Sequence, residues 1–410
     1  MKVDHSTLTF FSSGTPGGSR RLQYAVIALS LLVFLALLFY AREGRSTYDR
    51  DGAGITYETA RVLAVLADNT EADPSAENVL RGSQDLELEI LTGRYAGETV
   101  RVSNYLSAFY NVIAREGMKL SVSVNTVEEG VYSVSVYNYS RDLWIWGFIG
   151  LFALTLFAVG GRQGLKALLS LGITVFCVIL LLVPLLVQRG WPPIPTTLAM
   201  TAYTSFVTFV ILGGVQVKTM AAALGSFGGI LLAGLLAWGA CKIVHISGMN
   251  MDEAESLLLT AVDNGLKIRG LFICGILIAA EGAVMDIAMT ISSAVAELHA
   301  VNPSLTAPQL FRSGMNIGRD AMGTMANTLV LAFAGTSLNM MIFIYAYDVS
   351  YIQLLNTDFI AIEVIRGLAG SIGIVLTVPV VAAVSAWMLA STSGFTLESI
   401  RNFFRAAKTR

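Results

Sequence analysis

The chain has 410 residues, 54% of them hydrophobic and only 14% charged, with a mean hydropathy of +0.65. Its apolar residues come in long blocks, which excludes an ordinary soluble domain and marks an integral membrane protein. A formal net charge of −2, with no Lys/Arg cluster beside aromatic residues, excludes a nucleic-acid groove.

The first block, Leu22 to Tyr40, is long enough to cross about 30 Å of hydrocarbon at 1.5 Å per residue, and Arg20 and Arg21 precede it. It is longer than the apolar part of a cleaved leader, so the expectation is an uncleaved anchor with a cytoplasmic tail over 1–21, in which SSGTPGGS is flexible. From Ala41 to Arg141 the chain turns polar, with about 15 acidic and 10 basic residues, and its pattern shifts to period two. LELEIL (Leu86 to Leu91), ETVRVSN (Glu98 to Asn104), KLSVSVN (Lys119 to Asn125) and VYSVSVYN (Val131 to Asn138) read as half-buried strands, with Gly93, Gly97 and Gly130 in turns. The 41–141 segment is therefore expected to be a small extracytoplasmic β-barrel.

Seven more apolar blocks follow: Trp144 to Val159, Ala167 to Val187, Thr196 to Leu212, Ala221 to Val244, Leu271 to about Ala296, Ala321 to Tyr345 and Ile360 to Leu389. With the anchor they predict a mainly α protein, a polytopic bundle of about eight transmembrane helices over 142–390 and a basic cytoplasmic tail over 391–410. The links GRQGLK (Gly161 to Lys166), VQVK (Val215 to Lys218) and RSGMNIGR (Arg312 to Arg319), and the tail with Arg401, Arg405, Lys408 and Arg410, fall on the N-terminal side. Both termini are then cytoplasmic by the positive-inside rule. Lys267 and Arg269 break the count, in a segment (Met249 to Gly270) whose length and mixed charge also suit an interfacial helix.

Ala221, Gly225, Gly229, Ala233, Ala237 and Cys241 form an i, i+4 stripe that permits close helix packing, and Gly367, Gly370 and Gly373 read the same way. Such stripes also leave room for a homo-oligomer. Pro184 and Pro379 are candidate kinks. Thr197, Thr201, Thr204 and Thr208, with Ser205 beside them, share one face. Threonines placed so either line a wet path or return their hydroxyls to their own backbone. Cys177, Cys241 and Cys274 all lie in apolar blocks, and His5, His245 and His299 are scattered, so neither a disulfide framework nor a zinc or haem signature arises. No cofactor motif is present.

The stretch GILIAAEGAVMDIAMTISS, Gly275 to Ser293, sets two carboxylates in an apolar run. Gly275, Ala279, Gly282, Asp286, Thr290, Ser293 and Glu297 share a helical face, while Glu281 lies about 140° from Asp286. An ionised acid in hydrocarbon costs on the order of 3 kcal/mol, so such residues face a bundle interior, pair or stay neutral, and mark an ion or proton path. In the next block Asp320, Thr324 and Asn327 share a face. Asp286, Met289 and Thr290 against Thr324, Met325 and Asn327 are a lesser candidate for a metal site, held by Asp286, Met289 and Asn327. Asp320 beside Arg319 also suits a helix start.

EGAVMDIAMTISSAVAEL (Glu281 to Leu298), LFRSGMNIGRDAMGTMANTLVLAFAG (Leu310 to Gly335) and GLAGSIGIVLTVP (Gly367 to Pro379) resemble the YibE/F family of bacterial multipass membrane proteins. The resemblance covers roughly Asp142 to Leu389, and LEILTGRYAGETVRVSNYLS (Leu88 to Ser107) is similar to the soluble module preceding the helices in the YibE type. It implies a bacterial plasma membrane and a helical bundle, and no established catalytic residue. The leading expectation is a secondary transporter or channel-like carrier for an ion or small solute, proton-coupled through Asp286 or Glu281, with the lipid bilayer as its surroundings. No G-x-x-x-x-G-K-[ST] string is present, so no ATP site is expected in this chain. The alternatives are an envelope scaffold acting through the outer module and, less favoured, an intramembrane aspartyl protease using Asp286 and Asp320.

Overall fold

The computed structural model describes residues 16–42, 55–74, 76–108, 110–128, 131–246, 267–268, 270–347 and 349–391. Two compact units emerge, one of residues 46–159 and one of residues 1–45 with 160–410. Most of the 249–270 segment, the first 15 residues and the 392–410 tail lie outside the described residues.

The smaller unit is built on five antiparallel strands: β1 (Ile55–Ala72), β2 (Leu80–Ile90), β3 (Thr99–Leu106), β4 (Lys119–Glu128) and β5 (Val131–Tyr139), in the order β3-β2-β1-β4-β5. Alternation turns one side inward, where Ala60, Val62, Leu86, Leu88, Val102, Leu120, Val122 and Val124 form the core. The sheet curls but β3 and β5 do not pair, so it is a half-barrel rather than the closed barrel that alternation suggested. The central strand, β1, is the one alternation does not reveal. Irregularities between Val62 and Ala64 and between Val65 and Ala67 shift its register against β2 and break the period of two. Gly82 has φ +117°, and a Cβ there would sit 2.1 Å from the Asn69 carbonyl oxygen across the β1–β2 ladder.

In the other unit, α1 (Pro16–Arg42) begins inside the stretch read as a flexible tail, with proline at the position where its missing N–H costs nothing. Next in the chain comes α2 (Asp142–Cys177), of which residues 142–159 belong to the smaller unit, then a π-helical turn, Val178–Leu182, and α3 (Val183–Val187). Within α2, Gly161 is non-helical at φ 53° and ψ −130°. The apolar blocks expected as separate helices are two helices that meet at this kink, within a 46-residue stretch, Asp142–Val187, that would be about 69 Å if straight and over twice the hydrocarbon thickness. The π turn precedes Pro184, which brings no N–H and whose ring crowds the carbonyl four residues back.

The remaining helices are α4 (Pro193–Gly213), α5 (Val217–Ile243), α6 (Leu271–Val301), α7 (Ala307–Thr336), α8 (Leu338–Ala346), α9 (Tyr351–Leu355) and α10 (Asp358–Ser391). A capping box of Thr306 and Gln309 starts α7. By length and composition the described residues hold six helices able to cross a membrane, or seven if α7 and α8, bent by 58°, form one span, against eight apolar blocks in the sequence.

Helix α10 runs through the centre, packed against α5, α6 and α7. Small residues allow this. A Cβ on Gly225 would lie 2.5 Å from Val381, one on Gly229 would lie 1.9 Å from the Thr377 hydroxyl, and one on Gly373 would lie 2.5 Å from Ala233. Gly314 and Gly318, in the RSGMNIGR stretch, are buried against Ala382 and Val378. Gly370 meets Leu329, whereas Gly367 has only Phe333 nearby at 3.9 Å.

Candidate functional site

The polar interior of the bundle is carried by α4. Its first turn is set by Pro193 and Pro195, and its threonines recur at helical spacing, so Thr197, Thr201, Thr204 and Thr208 come to lie on one buried side with Ser205. One of the two readings of that stripe, the return of hydroxyls to the helix backbone, is seen directly. Thr201 donates to the Leu198 carbonyl at 3.1 Å and Thr204 reaches the Met200 carbonyl at 2.9 Å, the back-bonding that helical threonines favour. Thr208 instead accepts from Ser170 of α2 at 2.7 Å, and the fully buried Thr197 hydroxyl meets the Cys274 thiol of α6.

Against this stripe α6 sets Glu281, only 3% exposed. The carboxyl lies a third of the way along α6 and meets α4 just past its midpoint, in the depth of both helices. Its Oε1 is bonded to the hydroxyls of Thr204 and Ser205, the latter at 3.2 Å. Among the described residues Glu281 makes no ion pair. Cys177, buried at the end of α2 where the π turn begins, interacts electrostatically with it. Single π turns within α-helices recur at functional sites. Helix α1 is tied to the same part of α4, since Tyr203, one residue before Thr204, donates to the Ser30 carbonyl at 2.8 Å.

The protons around Thr204 can be counted. Its Oγ1 lies within bonding distance of three acceptors: the carbonyls of Met200 (2.9 Å) and Thr201 (3.2 Å), and Glu281 Oε1. A hydroxyl has one proton. With that proton on a main-chain carbonyl, the contact to Glu281 is completed by a proton on the carboxyl or by a cation shared between the two oxygens.

The sequence places its main weight elsewhere, on Asp286, and there the structure differs from expectation. Asp286, Thr290, Gly275, Ala279, Gly282 and Glu297 lie on the exposed side of α6 and Ser293 is half-buried, because α6 turns its large apolar residues Ile276, Leu277, Val284, Ile287 and Ile291 toward α5 and α10. Thr290 bonds the main-chain oxygen of Asp286. Asp320, Thr324 and Asn327 are exposed on α7, with Thr324 returned to the Ala321 carbonyl. Neither element supplies Glu281 with a partner among the described residues. Met289 is turned toward Gly213 of α4, away from the exposed side that carries Asp286, so Asp286, Met289 and Asn327 do not converge as a metal site. Among the described residues no three His, Cys, Asp or Glu side chains cluster. No hydrogen bond between Asp286 and Asp320 is found among them either.

A family model described as "YibE/F-like protein" matches residues 148–391, more than half of the chain. The chain belongs to the YibE/F-like family. No curated protein and no solved structure matches it. Within this YibE/F-like region fall every residue of the Glu281 cluster, the π turn, and the glycines that seat α10. What sequence reading missed is the pairing itself. Its signals were both visible, a threonine face on one apolar block and a carboxylate turned away from the polar face of another, but only packing shows that they meet.

Proposed function

We propose that this protein is a secondary carrier, or channel-like carrier, for an ion or small solute, and that Glu281 is its coupling group. The observation that supports this is a carboxyl buried well inside its helix, given two hydroxyl partners and, among the described residues, no cationic one. A carboxylate so placed costs several kcal/mol unless neutralised, and residues of this kind mark ion and proton pathways. Binding and release of a cation or proton at Glu281 changes the charge between α4 and α6, so the packing of those helices senses occupancy. The setting proposed for this cycle is a bacterial plasma membrane with both termini cytoplasmic. The exposed aspartates of α6 and α7 are not needed for it.

The test is a solute screen in vesicles carrying a trapped pH dye. The expected result is a solute-dependent pH change in the wild type that Glu281→Gln abolishes. An unchanged response in the variant would remove Glu281 from the cycle.

A second reading, an envelope scaffold, draws on the smaller unit. Tyr57 and Tyr137 form an exposed edge-to-face pair at 4.8 Å, and Tyr105 is 76% exposed, a display of aromatic surface suited to a protein partner. Removal of residues 52–138 with full transport retained would exclude a role for that unit in the carrier cycle.

A further inference from the structure

We infer that the Glu281 cluster is a site for a single monovalent cation, at which sodium and the proton compete. This rests on the carrier reading above and names the ion that the site takes.

Charge is the first argument. Among the described residues Glu281 is the only carboxylate in the buried cluster, since Asp286 lies on the exposed side of α6 five residues on. One negative charge is balanced by one monovalent ion. A divalent ion would leave a net positive charge in a low-dielectric interior, where an unpaired charge is strongly disfavoured. The donor atoms are the second argument. Glu281 Oε1, Thr204 Oγ1 and Ser205 Oγ, with the Met200 and Thr201 carbonyls beside Thr204, are hard oxygens, the ligands of hard cations. They lie in mutual hydrogen-bond contact, the spacing of a shared proton, and of the alkali cations the smaller sodium needs the least separation of these oxygens to take the proton's place.

Few described ionisable groups stand on the helices around this site. From α2 comes Cys177, from α4 Tyr203, whose phenol is held by Ser30, and from α6 itself Cys274. On α10 the nearest charges are the Glu363–Arg366 ion pair, with the Arg366 guanidinium over the Phe272 ring. Phe272 precedes Glu281 by nine residues of α6, roughly 13 Å of helix rise. Among the described residues neither α5 nor α7 gives Glu281 a hydrogen bond or an ion pair, so the site there has one acid and no basic partner.

The experiment uses the full-length protein in detergent and dicyclohexylcarbodiimide, an apolar reagent that attacks protonated carboxyls, with labelling of Glu281 followed by mass spectrometry. At fixed pH, sodium chloride at ten times its dissociation constant is expected to slow labelling about tenfold, and potassium or magnesium chloride at the same ionic strength is expected to leave it unchanged. Ser205→Ala is expected to weaken protection by sodium while labelling without sodium persists. Sodium-22 binding to the wild type, absent in Glu281→Gln and retained by Asp286→Asn, is the companion measurement and does not depend on reagent access. Labelling that responds to pH but not to sodium, with no sodium-22 bound, overturns the sodium site and leaves proton coupling intact. Protection by magnesium overturns the monovalent assignment. Sodium binding at Glu281 in a protein that moves no solute would instead sink the carrier reading and keep the site.

Discussion

Replacing Gly225 by alanine tests the centre of the bundle. An added Cβ would stand 2.5 Å from Val381 Cγ2 and 2.9 Å from Val381 Cα, so one obstacle is a side-chain methyl and the other is backbone of α10. The methyl can rotate away, but the backbone yields only if α5 and α10 separate. Overpacking of this kind costs about 1–3 kcal/mol. Gly→Ala also gains close to 1 kcal/mol of helix propensity, so the useful comparison is with Gly239→Ala on the same helix, where nothing lies within 4 Å and only the gain remains. The two variants should differ by about 1–3 kcal/mol, Gly225→Ala being the weaker. Thermal unfolding in detergent can be followed with a thiol-reactive dye, because the free cysteines Cys177, Cys241 and Cys274 are all buried and become reactive only as the bundle opens. Adding Val381→Ala should recover part of the loss and no more, since Cα stays at 2.9 Å. Equal stability of Gly225→Ala and Gly239→Ala would refute the seating of α5 on α10.

Other expectations concern both units. Gln84 is buried and accepts from the Ala114 amide at 2.9 Å, so Gln84→Leu leaves that N–H unpaired at a cost of about 1–3 kcal/mol and should speed amide exchange at Ala114 in the intact protein. The Tyr132 phenol is pushed up to about 12, first by its hydrogen bond to Glu98 and then by burial. Because the folded state holds this proton more tightly, its contribution to stability is complete below pH 10, the ordinary tyrosine value, and is lost as pH rises from there through about 12. Tyrosine ring NMR on Glu98→Gln should show Tyr132 returning toward the ordinary range. Thr204→Val, which keeps volume and removes the hydroxyl, should lower coupled flux at least tenfold with little change in unfolding temperature, as expected of an ion ligand rather than a packing residue. A parallel loss of stability and flux would make Thr204 structural.

The fold was legible where residue pattern maps directly onto burial. Alternation gives β2 to β5, and the i, i+4 stripe of α5 carries Gly225, Gly229 and Ala233, the positions that meet α10. Bulged β1 was not legible, because two irregularities in its pairing destroy the period on which the reading depends. The break inside α2 was legible, since a glycine among basic residues reads as a loop and Gly161 is where two helices meet at a kink. The candidate site was half legible. A helical wheel correctly separates Glu281 from Asp286, but it ranks the acid on the polar side above the acid surrounded by Ala280, Leu277 and Val284. Helix periodicity states which residues share a face; it does not state which face meets α4. That choice is made by the bulky apolar side chains of α6, which carry Glu281 inward and leave Asp286 outside.

The central claim is that the buried acid, not the exposed one, couples movement to a cation. The most direct test is proton flux in vesicles reconstituted with Glu281→Gln, compared with Asp286→Asn at equal protein density. The account predicts coupled flux lost in Glu281→Gln and near wild type in Asp286→Asn. Flux retained by Glu281→Gln and abolished by Asp286→Asn would contradict it.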